Sequence, residues 1–102
     1  MTHYNMDSQR YYSYSKTGAE MIKSFCAMHF YDLGINLNFI DWSTNIVSDV
    51  DMHVLNLQNN QLNIQLQFAP NDLVKYARNR DMKNLEVKMK REMNKAIGEC
   101  KI

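Results

Sequence analysis

The spacing of hydrophobic positions changes twice along the chain, and those changes divide it into elements. The opening stretch is polar and carries Tyr4, Tyr11, Tyr12 and Tyr14 without a regular interval. Ile22, Phe25, Cys26, His29 and Leu33 then recur at helical spacing, with Met21, Met28 and Phe30 broadening the stripe. A first helix with a heavily buried face is therefore expected. Ser15 or Thr17 can cap its start, Glu20 falls three residues after Thr17 as in a capping box, and Gly34 stands where a left-handed residue would end it. Residues 1–15 read as a Tyr-rich arm and 16–102 as one domain.

Ile35, Leu37 and Phe39 alternate with Asn36 and Asn38, the period of a half-buried strand. Residues 41–49 read as a loop carrying Trp42. Two further strands are expected over roughly 50–57 and 61–68, joined by a two-residue turn at Asn59 and Asn60, since Asn tolerates positive φ. That turn would set Gln58 opposite Gln61, Leu57 opposite Leu62, Leu55 opposite Ile64 and His53 opposite Leu66. One face of the hairpin then holds Leu55, Leu57, Leu62, Ile64, Leu66 and Phe68. The other holds Asn56, Asn63, Gln65 and Gln67 with Val54 and Met52.

Pro70 suits a first helical position, and Leu73, Val74 and Ala77 give the apolar side of a second helical region. The stripe shifts phase at residues 79–81, where a break or kink is expected. Met82, Leu85, Met89, Met93 and Ala96 then share a face of the last helix, with Gly98 at its C-terminal cap. The pattern predicts a two-layer α+β fold: a helix, a three-stranded antiparallel sheet, then one kinked or two C-terminal helices.

Composition adds limits more than clues. With 102 residues, 45% hydrophobic, 23% charged and a net charge of +1, the chain has the make-up of one globular domain. No apolar run is long enough to span a bilayer, no secretory-type signal opens the chain, and two distant cysteines make no disulfide framework. A cytoplasmic protein without a membrane partner is expected. Twelve Asn and eight Met are high for this length, a bias common in AT-rich phage and plasmid genes.

Candidate chemistry is sparse. Cys26 and His29 lie three apart on a helix and could meet His53, but a zinc site needs a fourth ligand from Cys100 or Asp51 with no supporting spacing. Cys26 on a buried stripe is poorly placed as a nucleophile. Asp41, Asp49 and Asp51 flank the Trp42 loop without the spacing of a calcium loop. No catalytic, cofactor or metal residues are assigned, and the chain is read as a non-enzyme.

Charge is uneven. Residues 1–69 carry a net of −3, and residues 70–102 carry +4. Lys88, Arg91 and Lys95 form a row on the last helix, opposite its methionines, extended by Asn84. The order helix, three strands, helix is similar to that of double-stranded RNA-binding domains. Residues 41–49 lack their loop motif, however, and Asn71, Asp72 and Leu73 stand where their lysine cluster would open the last helix. No residues carry over.

The expected function is therefore protein binding, in the style of a phage or mobile-element accessory protein that inhibits or modulates a host complex. RNA or DNA binding through the basic helix is the alternative, and a homodimer is open. Trp42, Gln65, Gln67, Lys88, Arg91 and Lys95 are the candidate contacts.

Overall fold

The structure is a computed structural model that describes the backbone of residues 2–43 and 52–99 and the side chains of 13–43 and 52–98. Helix α1 (Thr2–Asp32) is followed by strands β1 (Phe39–Trp42), β2 (His53–Gln58) and β3 (Asn63–Phe68), then helices α2 (Pro70–Ala77) and α3 (Met82–Glu99). The strands form one antiparallel sheet in the order β1-β2-β3. The α+β layout is the one the hydrophobic pattern predicts, with the break after α2 resolved as two separate helices.

Helix α1 starts far before the expected cap at Ser15 or Thr17: the backbone of residues 2–15 already belongs to it. Thr17 is exposed inside the helix. The buried stripe runs through Ser15, Gly18, Ala19, Ile22, Cys26 and Phe30. Small residues at its N-terminal end look like a boundary in sequence, but they let another helix approach. The stripe is also rotated from expectation, since Met28 and Leu33 are exposed and His29 is half-buried. At ~1.5 Å per residue, 31 residues span about 46 Å, most of the molecule's 57 Å long dimension.

The end of α1 forms a Schellman cap. Ile35 N–H donates to Phe30 O, Gly34 N–H donates to Tyr31 O, and Gly34 takes φ +73°. The alternation expected from Ile35 to Phe39 breaks at a bend on Asn38, so Leu37 and Ile40 pack inward while Phe39 lies 47% exposed. Strand β1 therefore starts later than expected, and Trp42 belongs to it rather than to a loop.

The β2–β3 pairing corrects the expected register by two residues. Gln58 faces Asn63, Leu57 faces Ile64, Leu55 faces Leu66 and His53 faces Phe68. The connection is a four-residue loop, 59–62, closed by Asn59 N–H to Leu62 O. The side-chain Oδ1 of Asn59 accepts from the N–H groups of Gln61 and Leu62, both at 2.8 Å, and this Asx-type turn replaces the tight turn. A shift of two preserves the side-chain faces. Leu55, Leu57, Leu62, Ile64, Leu66 and Phe68 are all buried as expected, while Asn63, Gln65 and Gln67 are exposed.

Pro70 opens α2, and the Asp72 carboxylate accepts from the Ala69 N–H at 3.0 Å. A second Schellman pattern ends it: Arg80 N–H reaches Lys75 O, Asn79 N–H reaches Tyr76 O, and Asn79 has φ 60°. Tyr76 OH then donates to Glu86 Oε2 at 2.7 Å, tying α2 to α3. Burial and that carboxylate hold the phenol above its usual pKa. Met89 and Met93 of α3 complete the core. Gly98 is not a cap, because α3 continues through it to Glu99 and its φ is not left-handed.

Candidate binding edge

The pairing pattern decides which main-chain groups of the sheet remain outside it. Asn38 N–H donates to Gln58 O and Ser43 N–H donates to Val54 O, both at 2.8 Å. The even-numbered residues of β2 thus turn their peptide groups toward β1, and the odd ones turn toward β3. Leu55 and Leu57 exchange bonds with Leu66 and Ile64. The N–H and C=O groups of Gln65 and Gln67 consequently point away from the sheet. Among the described residues, no strand pairs with that edge.

Helix α3 walls this edge. One hollow of about 270 Å³ is lined by Met52, Gln67 and Phe68 with Lys88, Met89 and Glu92. A second of about 250 Å³ is lined by Asn63 and Ile64 with Glu92, Lys95 and Ala96, and both share Gln65 and Leu66. The hollow at the Phe68 end takes Lys88 and Met89 and the one at the Asn63 end takes Lys95 and Ala96, so α3 runs antiparallel to the strand. Lys88 and Lys95 are exposed, and neither is ion-paired among the described residues.

Above the edge, the outer face of the sheet carries an amide ladder. Gln65 Nε2 donates to Asn56 Oδ1 at 3.2 Å, and Asn56 Nδ2 donates to Ser43 Oγ. Gln65 is thus held across the sheet while its main chain faces out.

Four of the six candidate contacts come together here: Gln65, Gln67, Lys88 and Lys95. Arg91 is exposed on α3 but does not line either hollow. Trp42 lies on the opposite edge strand, half-buried, with its indole N–H donating to Ala19 O at 3.2 Å. Its ring meets Phe68 edge-on at 5.5 Å and His53 at 6.5 Å. It closes the core against α1 and lines neither hollow. Met52, Asn63 and Glu92 also line the edge. Their sequence neighbourhoods carry no signal for this, because only the strand order and the path of α3 bring them there.

The residues weighed for metal or thiol chemistry lie apart. Cys26 is fully buried, its thiol contacts Met89 Sδ at 3.9 Å, and burial pushes its pKa up to about 12. The sulfur stays protonated and shielded. His29 Nε2 pairs with Asn94 Oδ1 at 2.9 Å. His53 is buried on β2, where desolvation lowers its pKa. Among the described residues, no three His, Cys, Asp or Glu side chains form a group able to hold a metal ion. Cys100, Asp49 and Asp51 lie outside the described residues, as do most of the 41–49 loop and the tyrosine side chains at 4, 11 and 12. No described helix is long and apolar enough to cross a membrane.

Comparison of the chain with protein-family models, curated proteins and solved structures finds no match in any of the three.

Proposed function

We propose that the chain is a small, non-enzymatic protein-binding module that takes an extended segment of another protein onto the outer edge of β3. The observation that carries the reading is the outward direction of the Gln65 and Gln67 peptide groups beside the hollows walled by α3. An unpaired edge is a template for a further strand. Strand addition holds a peptide by main-chain hydrogen bonds and selects it by the side chains alongside. The Asn-rich composition suits a phage or mobile-element accessory protein, which would modulate a host complex by occupying such a segment.

Panning a random peptide display library on the full chain and on its Gln65→Pro variant tests this. Proline at an outward-facing edge position removes a free N–H and no sheet bond. The expected result is a set of peptides that bind the chain and are lost on the variant. Peptides held equally by both would put the binding surface elsewhere.

Nucleic-acid binding is the second reading, favoured by a separate observation. Lys75, Arg80 and Lys88 line a hollow at the α2–α3 junction, which shares Lys88 with the hollow beside β3. Asp72 and Asp81 line the same hollow, and these carboxylates weaken the field a phosphate backbone would need.

A further inference from the structure

We infer that two copies of the chain pair their β3 strands antiparallel about a two-fold axis at Gln65, each covering the other's edge until a partner segment displaces it. This inference rests on the reading of the β3 edge as the docking site.

Edge strands commonly carry charges, prolines or bulges that keep copies of a protein from pairing. Strand β3 has no charged residue and no proline, and its pairing with β2 runs without a bulge. Ile64 and Leu66 exchange bonds with Leu57 and Leu55, so the alternation turns the peptide groups of Asn63, Gln65 and Gln67 outward. These outward positions select one register for self-pairing. With Gln65 opposite Gln65 of the second copy, Asn63 falls opposite Gln67 and Gln67 opposite Asn63. Every outward peptide group of the strand is then used. Sliding the copies by two residues in either direction leaves Asn63 or Gln67 outside the pairing.

The side chains match in the same register. On the outer face, Gln65 meets Gln65 and Asn63 meets Gln67, and an amide both donates and accepts. On the inner face Ile64 falls opposite Leu66, both buried, which continues the apolar face from one sheet into the other. The pairing engages residues 63–67 of each copy, far fewer than the roughly 20–30 residues a side of a stable interface. Glu92 lines both hollows beside Gln65 and Leu66, which brings the carboxylates of the two copies toward the axis. A short pairing with like charges near its centre is weak, so the edge opens on dilution or to a better-matched segment.

Sedimentation equilibrium of the full chain and of Gln65→Lys, Gln65→Pro and Glu92→Gln provides the test. Gln65→Lys sets two ammonium groups opposite each other at the axis and keeps every edge N–H, whereas Gln65→Pro removes one. Gln67→Pro serves in place of Gln65→Pro if that variant loses its circular dichroism signal. The full chain is expected to dimerise with a dissociation constant of about 10⁻⁴ M. Both Gln65 variants should stay monomeric up to ~1 mM, and Glu92→Gln should dimerise about threefold more tightly. A peptide selected on the chain by panning should convert the dimer to monomer and should still bind Gln65→Lys.

A full chain that stays monomeric up to ~1 mM, or a dimer that survives Gln65→Lys, overturns the self-pairing. The edge reading stands in either case if the selected peptide is lost on the proline variant. A peptide that binds the dimer without dissociating it shows that the two do not share the edge, and overturns the inference as well.

Discussion

Gly18 of α1 lies directly against the main chain of Leu73 in α2. A Cβ added to Gly18 would stand 1.9 Å from the Leu73 carbonyl oxygen, and backbone cannot swing aside as a side chain can. This contact sets how closely the two helices approach, and Leu73 itself is fully buried beneath it. Gly18→Ala should therefore lose about 1–3 kcal/mol through overpacking, despite the better helix propensity of alanine. Gly98, inside α3 with nothing within 4 Å of an added Cβ, is the control. Gly98→Ala should gain up to ~1 kcal/mol. Urea unfolding of the two variants reads both, and equal effects would contradict the close α1–α2 contact.

Leu66 and Gln65 are neighbours on β3 with opposite fates. Leu66→Asp puts an unpaired charge into the core and should leave the chain unfolded. Gln65→Asp gives up one hydrogen bond to Asn56 on an exposed face and should cost within about 1 kcal/mol. Circular dichroism with thermal melting separates the two, and similar tolerance would mean that the assigned faces are wrong.

The faces of this hairpin were legible in the sequence because alternation survives any shift by two residues. Its register was not, since the side chain of Asn59 builds a four-residue loop where two asparagines suggest a tight turn. The start of α1 was hidden for a related reason. Ser15 and Gly18 look like breakers in one dimension, and only the approach of α2 makes their smallness useful inside a helix. Gln65, Gln67, Lys88 and Lys95 could be singled out as exposed polar residues. That they share one edge depends on β3 being the last strand of the sheet and on α3 returning beside it.

Stability should fall as the solution is acidified through the histidine range. His53 is buried and its pKa is lowered from 6.5 by desolvation, so the unfolded chain takes up the proton first. The contribution is complete above pH ~6.5 and is lost as pH drops from there toward the lowered folded value. The melting temperature is expected to decline between pH 7.5 and 5.5, less steeply in His53→Leu. Identical slopes in the two proteins would remove His53 as the cause.

The nucleic-acid reading makes its own demand on the exposed row of Lys88, Arg91 and Lys95. Replacing all three by Glu should leave the fold intact, because none of them is buried. Protein binding through the β3 edge predicts that the wild-type chain holds random RNA and duplex DNA no better than ~10⁻⁴ M at physiological salt. Submicromolar, steeply salt-dependent binding that the triple variant abolishes would decide for the alternative.

Amide hydrogen exchange along β3, followed residue by residue with and without a peptide selected on the full chain by panning, bears most directly on the proposed docking edge. In the free chain, Ile64 and Leu66 donate to β2 and should exchange slowly, while Gln65 and Gln67 point outward and should exchange fast. Adding the peptide should slow Gln65 and Gln67 selectively and leave the rest of the sheet as it was. Protection of Gln65 and Gln67 equal to that of Leu66 in the free, monomeric chain would mean that the edge is already covered. Unchanged exchange at both residues in a peptide-saturated sample would mean that the peptide binds elsewhere.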